Sequence, residues 1–218
     1  MIKGVIFDVD GTLLDSMPIW HDVGARFLKT LHITPEPELG NTLFTMSLEE
    51  GACYLKEHYT LKQDIFQIQE GILQIVQDFY RNEVLLKSGV HRFLDYLKSH
   101  HIPMVLATAG DEKLIMCALK RLQVDSFFKA IFSCSQFQTT KKEATLYQVA
   151  AHYIGAKPQQ ICIFEDAYHA LLTAKQAGFQ TVAIADAANA QNLLQILTIT
   201  DYYLKDYTSF ESLLPLFY

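Results

Sequence analysis

The sequence has few of the residues that build disulfide frameworks, metal–thiolate sites or membrane spans. It has four cysteines among 218 residues and no CxxC pair, which predicts reduced thiols rather than disulfides or a zinc site. Its apolar runs are shorter than the roughly 20 residues of a membrane helix. The first run, Ile2 to Phe7, leads directly into Asp8 and lacks the pattern of a signal peptide. We therefore expect a cytoplasmic protein without a membrane partner.

Positive charge is also scarce. The formal net charge is −6, and no basic cluster exceeds two or three residues, which argues against nucleic acid as a partner. The composition, 50% hydrophobic and 19% charged, is typical of a packed globular protein rather than a disordered one. The length suits one domain with an insertion. We expect a monomer or a weak dimer.

Short, continuous apolar runs alternate with helical patterns along most of the chain. The runs predict strands at Val5–Phe7, Met104–Ala107, Ala130–Phe132, Ile161–Phe164 and Thr181–Ile184, with a last edge strand at Asp201–Leu204. Helical spacing of apolar residues covers 90–100, 113–122, 144–154 and 167–177. Strands that are apolar throughout are typical of a parallel sheet covered on both faces. The fold class is therefore α/β, with a doubly wound parallel sheet.

Residues 17–83 interrupt this alternation. They show only helical patterns, over Pro18–Leu31, Leu48–His58 and Asp64–Tyr80, and Ser47 with Glu50 forms a capping box before the second of these. We predict a core domain of residues 1–16 and 84–218, with a small helical domain of residues 17–83 inserted after the first strand.

Polar residues follow the apolar runs at the ends where ligands bind in open parallel sheets. They are Asp8, Asp10, Gly11 and Thr12 after the first run, Thr108 after the second, Glu165 and Asp166 after the fourth, and Lys141 and Lys142 before a helix. Clustered carboxylates need a cation, and oxygen ligands without His or Cys favour Mg²⁺. A carboxylate beside Mg²⁺ can attack phosphorus, and a second acid two residues on can transfer protons.

Three stretches carry a family resemblance: "FDVDGTLLDS" at 7–16, "LATAG" at 106–110 and "FEDAYHALLTAKQAGF" at 164–179. With them the chain resembles the haloacid dehalogenase-like superfamily, in the branch with a helical cap after the first strand. This branch includes β-phosphoglucomutase-like phosphatases. The resemblance covers nearly the whole chain, and it implies a Rossmann-like core and Mg²⁺-dependent phosphoryl chemistry.

The resemblance also implies residue roles. Asp8 would be the nucleophile and a metal ligand, and Asp10 the general acid and base, with its backbone carbonyl on the metal. Glu165 and Asp166 would complete the metal site. The phosphoryl group would be held by Gly11, Thr108, Ala109 and Lys141.

The lysine motif departs from the family pattern. The family usually shows Lys-Pro before the helix, whereas this chain has "TTKKEATLY" at 139–147. Tyr147 matches the aromatic residue of the family's helix, and counting back from it makes Lys141 the motif lysine. Lys142 stays open as the alternative.

The expected reaction is hydrolysis of a small phosphorylated metabolite, a sugar phosphate or nucleotide, through an aspartyl-phosphate. Asp10 argues against dehalogenation, because the dehalogenases of the superfamily lack this second aspartate. A sugar phosphomutase is the main alternative, but "GNTLFTMSLEEG" at 40–51 has no Arg or Lys for a second phosphate. A non-catalytic module that binds phosphometabolites is another alternative. Trp20, His21 and Thr45 are the candidate substrate contacts.

Overall fold

Six short strands form one sheet in the computed structural model, which describes residues 1–218. They are β1 Gly4–Phe7, β2 Met104–Thr108, β3 Phe128–Ser133, β4 Ile161–Glu165, β5 Gln180–Ile184 and β6 Tyr202–Leu204. Every neighbouring pair is parallel. Every residue of β1, β2 and β4 is buried, as expected of strands covered on both faces.

The strand order β3-β2-β1-β4-β5-β6 puts β1 at the centre, where the direction of winding reverses. Phe7 pairs with Leu106 of β2 and with Phe164 of β4. The residues that follow these three strands therefore meet at one edge of the sheet, next to the point of reversal. This is where doubly wound sheets bind ligands.

Nine α-helices accompany the sheet. They are α1 Pro18–Thr30, α2 Leu39–Phe44, α3 Leu48–His58, α4 Ile65–Asn82, α5 Val90–Ser99, α6 Glu112–Arg121, α7 Thr145–Ile154, α8 Tyr168–Gln176 and α9 Leu193–Ile199. Short 3₁₀ segments add Asp125–Phe127, Pro158–Gln160, Ala187–Asn192 and Tyr207–Leu216. None of the helices has both the length and the apolar character that crossing a membrane requires.

The alternation of side chains along the strands builds two core layers. Ile6 and Ile163 point to one face, where they pack with Leu146 and Ala150 of α7. The next residues, Phe7 and Phe164, belong to an aromatic cluster with Phe93 of α5 and Tyr207. The ring centroids lie 4.8 Å apart for Phe7–Phe164 and 5.2 Å apart for Phe93–Phe164. The centre of the sheet is thus buried on both sides.

The chain divides into two units by its internal contacts, one of Met1–Ser16 and Val84–Tyr218 and the other of Met17–Glu83. In the second unit α1 packs on α2 and α4, and α3 packs on α4. The helix starts follow local chemistry. Ser47 forms the predicted capping box with Glu50 before α3, and Asp64 forms another with Gln67 before α4.

The predicted fold class, a doubly wound parallel α/β sheet, is confirmed by this topology. Two helices were not predicted, α2 and α9. They have six and seven residues, too few to show a clear helical period. Phe44 is the last residue of α2.

We expect Tyr207→Phe to leave the free energy of unfolding unchanged or to raise it by about 1 kcal/mol. The Tyr207 hydroxyl is fully buried and has no hydrogen-bond partner, so its removal relieves a desolvation cost. Tyr147→Phe is the matched control, because the equally buried Tyr147 hydroxyl donates to Glu165 at 3.3 Å; it should cost about 1 kcal/mol or more. Urea unfolding measures both. Equal destabilisation by the two changes would contradict the assignment.

Candidate active site

Three carboxylates meet at the edge of the sheet described above. Asp8 directly follows β1, Glu165 ends β4, and Asp166 follows it. Their exposed fractions are only 4%, 1% and 4%. One oxygen from each lies within 4.8 Å of the others. The strand ends predicted from the sequence thus bring three of the four predicted metal-site acids into one buried group.

Lys141 is the cation within this group. Its Nζ donates to Asp8 Oδ1 and, at 2.7 Å, to Glu165 Oε2. Lys141 is buried, whereas the neighbouring Lys142 is exposed. Of the two lysines left open by the sequence, Lys141 is the one with contacts to the carboxylates.

Glu165 is held from both sides of its carboxylate. Its Oε1 accepts from the backbone N–H groups of Asp166 and Ala167, both at 3.2 Å. Its Oε2 accepts from Lys141 and from the Tyr147 hydroxyl. These donors fix the orientation of Glu165.

Charge within the group does not balance. Burial, and then repulsion from Glu165, raise the pKa of Asp8 to about 7. Burial and repulsion from Glu165 and Asp8 hold the pKa of Asp166 well above its usual range. Burial lowers the pKa of Lys141, but attraction by Asp8 and Glu165 outweighs it and keeps the ammonium charged. One ammonium therefore faces three buried carboxylates.

The excess negative charge and the type of donor both fit a hard divalent cation. The grouped ligands are carboxylate oxygens, with no imidazole or thiolate among them, a set that suits Mg²⁺ better than zinc. A cation here would offset the repulsion that raises the pKa values of Asp8 and Asp166. The side chains of Asp8, Glu165 and Asp166 are therefore suited to hold it.

Asp10 lies outside this group of three. Its Oδ1 accepts from the Ser16 hydroxyl at 2.7 Å. Its Oδ2 lies close to Gly110, because a Cβ built on that glycine would be 2.8 Å from it. The Asp10 carboxylate thus lies between the loop after β1 and the loop after β2.

The other predicted phosphate contacts lie at the end of β2 and in the loops after β1 and β2. Thr108 is fully buried, and its Oγ1 accepts from the Gly110 N–H at 2.9 Å. Ala109 is exposed. In the loop after β1, Gly11 has φ +77°, and a Cβ there would approach Asp166 Oδ2 to 2.6 Å. Only glycine combines that backbone conformation with the space available.

The family model described as haloacid dehalogenase-like hydrolase matches residues 5–184. The chain belongs to this family. Among its relatives, the phosphorylated carbohydrates phosphatase of Thermotoga maritima is 22% identical over 83% of this chain and 84% of that protein. The fructose-1-phosphate phosphatase of Escherichia coli is 22% identical over 83% of this chain and 95% of its own.

A solved structure titled putative beta-phosphoglucomutase from Thermotoga maritima matches with a TM-score of 0.88. It is 21% identical and covers 98% of this chain and 99% of its own. The resemblance to the haloacid dehalogenase-like superfamily stated from the motifs is confirmed by the family model, and the solved structure shares the fold. The family makes the chain a hydrolase, and the two relatives are named as phosphatases.

The candidate substrate contacts of this hydrolase lie in the helical unit. Trp20 lines a cavity of about 360 Å³ within that unit, together with Phe44 and Met46. His21 stacks its ring on Phe44, with centroids 4.0 Å apart. Thr45 is exposed and does not line the cavity. No charged side chain lines this cavity.

Sequence reasoning did not assign roles to three residues that bind the acids. Thr12 and Asn189 donate to Asp166, and Tyr147 donates to Glu165. Thr12 stood among the polar residues after the first strand. Asn189 lies in the loop after β5, so the rule that ligand-binding residues follow the strands also applies to it.

We expect the metal-free enzyme to lose stability as pH rises, through Asp8. A carboxyl whose pKa rises from 3.8 unfolded to about 7 folded stabilises the fold below the lower value and loses that contribution through the higher one. Asp8→Asn cannot titrate. In EDTA, its unfolding free energy relative to the wild type should therefore increase from pH 3.8 to pH 7, as urea unfolding would show. A constant or shrinking difference would contradict the raised pKa.

Proposed function

We propose that this enzyme is an Mg²⁺-dependent phosphatase that hydrolyses a small phosphomonoester through an aspartyl-phosphate on Asp8. The observation that carries the proposal is the buried group of Asp8, Glu165, Asp166 and Lys141. In it a carboxylate stands beside a lysine and two further acids suited to a cation. The relatives named as phosphatases of phosphorylated carbohydrates and of fructose-1-phosphate support the same chemistry.

Asp8 is the nucleophile in this proposal. A carboxylate oxygen of Asp8 attacks phosphorus, and the bond from phosphorus to the leaving oxygen breaks. Attack requires the ionised form, which the contact with the Lys141 ammonium favours. The bound ion, held by Asp8, Glu165, Asp166 and the Asp10 carbonyl, would reduce repulsion between the anionic nucleophile and the anionic substrate.

Asp10 is the proton carrier. It gives its proton to the leaving oxygen in the first step. In the second step it takes a proton from water, which attacks phosphorus and releases inorganic phosphate while Asp8 is restored. The position of its carboxylate outside the acid group supports this role, and the Ser16 hydroxyl orients it.

The phosphoryl oxygens need donors that remain in place as charge develops. Lys141 and the Thr108 hydroxyl supply side-chain donors, and Gly11 and Ala109 supply backbone N–H groups. Such preorganised donors commonly contribute 10²–10³-fold each to kcat. The complete burial of Thr108 and the glycine requirement at residue 11 support a rigid cradle.

Residues 17–83 form the cap domain in this proposal, and they select the organic part of the substrate. The cavity beside Trp20 has no charged side chain, which disfavours a second anionic group on the substrate. This supports hydrolysis over phosphomutase chemistry, because a mutase must also hold a second phosphate while the sugar reorients on the phosphorylated enzyme. The proposed substrate class is a sugar phosphate or nucleotide with one phosphomonoester.

We expect phosphate release to require both Mg²⁺ and Asp8. The wild type, assayed on a panel of sugar phosphates and nucleotides, should release inorganic phosphate from a few compounds with Mg²⁺ and not with EDTA. Asp8→Asn should lower kcat by more than about 100-fold, because an amide is a poor nucleophile. Asp95→Asn, the same change at a surface residue paired with His91, is the control.

Retention of a tenth of the activity by Asp8→Asn would overturn the aspartyl-phosphate mechanism. If the wild type released phosphate from no compound, the hydrolysis proposal would be wrong. Isomerisation of a sugar phosphate would then be measured, as the test of a mutase.

We expect Lys141→Ala and Lys142→Ala to differ sharply. Lys141→Ala removes the cation between Asp8 and Glu165 and should lower kcat/KM by about 100-fold. Lys142→Ala makes the same change at the adjacent, exposed position and should change kcat/KM by less than about twofold. Steady-state kinetics on the best substrate measure both. A larger loss from Lys142→Ala would reverse the assignment.

A further inference from the structure

The two oxygens of Asp166 each accept a hydrogen bond from a neutral side chain. Thr12 Oγ1 donates to Oδ1 at 3.1 Å, and Asn189 Nδ2 donates to Oδ2 at 2.7 Å. The two donors come from different loops, one after β1 and one after β5. Together they fix the plane of the carboxylate from both sides.

The loop that carries Asn189 is itself anchored. Asp186 Oδ1 accepts from the Ala188 N–H at 2.9 Å, and the Asn189 N–H donates to the Asp186 carbonyl at 3.1 Å. Asp186 Oδ2 binds Lys87 Nζ at 2.9 Å, in an ion pair whose side chains are 4% and 11% exposed. The turn therefore presents the Asn189 amide in one place.

Lys87 connects this turn to the loop after β1, which begins with Asp8. Its Nζ also donates to the Ala185 carbonyl at 2.7 Å, and its backbone N–H donates to the Leu13 carbonyl at 2.9 Å. Leu13 follows Thr12, the other donor to Asp166. One residue thus holds both loops that orient this carboxylate.

We propose that Asn189 is a positioning residue that orients Asp166 for cation binding. The inference rests on the proposed role of Asp166 as a metal ligand. A neutral amide suits the task, because it restricts the carboxylate without neutralising it. An ionised carboxylate has about four lone-pair sites, so one bond to each oxygen leaves sites for a metal. A cationic donor at residue 189 would instead compete with the metal for the charge of Asp166.

The proposal predicts weaker Mg²⁺ binding when the amide is lost. Donors that orient metal ligands typically contribute 10–100-fold in affinity. Asn189→Ala should therefore raise the Kd for Mg²⁺, measured by isothermal titration calorimetry, by about tenfold or more. Asn189→Leu is the second variant, to be used if Asn189→Ala fails to fold. It keeps the branched shape beside a cavity lined by Ile184, Leu193 and Ile196, and it should raise the Kd for Mg²⁺ by the same factor.

Asn192→Ala is the matched control. It removes the same amide from the same loop, where the Asn192 side chain makes no capping hydrogen bond. Its Kd should stay within about twofold of the wild type.

The Mg²⁺ concentration for half-maximal turnover should rise for Asn189→Ala, while kcat at saturating Mg²⁺ recovers to within a few-fold of the wild type. A general loss of structure would not produce this combination.

An unchanged Mg²⁺ affinity in both Asn189 variants would overturn the proposal, as would an equal loss in Asn192→Ala. Failure of the wild type to bind Mg²⁺ would instead overturn the metal site of the proposed function. The two failures are therefore distinguishable in one titration series.

Discussion

The excess of negative charge at the carboxyl end of β1 is the constraint on which the site depends. Asp8, Glu165 and Asp166 are buried within 4.8 Å of one another, and Lys141 is the ammonium that contacts the group. Burial strengthens their repulsion, because little water remains to screen it. A fold that keeps these acids together must orient each one, and the repulsion that remains contributes to the raised pKa values of Asp8 and Asp166.

The structure meets that constraint with a different set of donors for each acid. Asp8 has the Lys141 ammonium, Glu165 has two backbone N–H groups besides Lys141 and Tyr147, and Asp166 has two neutral side chains. Lys141 provides the one full positive charge among these donors. The others orient carboxylates and leave their charge in place, as a metal site requires.

The sheet supplies the rigidity for this arrangement. β1 lies between β2 and β4 and is buried on both faces, with Ile6 in one core layer and Phe7 in the aromatic cluster of the other. Displacing Asp8 would therefore require moving well-packed strands. The helical unit differs from this charged site, because no charged side chain lines its cavity beside Trp20.

The sequence alone determined where most strands and helices lie and which polar residues follow the strands. Apolar runs located the strands because every residue of a doubly covered strand must be buried. Asp8, Thr108, Glu165 and Asp166 could be named because ligands bind where such strands end. Lys141 and Lys142 are adjacent in a turn, and the local sequence pattern does not show which of the two side chains points toward the acids. Only the tertiary structure brought Lys141 to Asp8 and Asn189 to Asp166, 133 and 23 residues apart, because strand order and loop path set those distances and no periodicity records them.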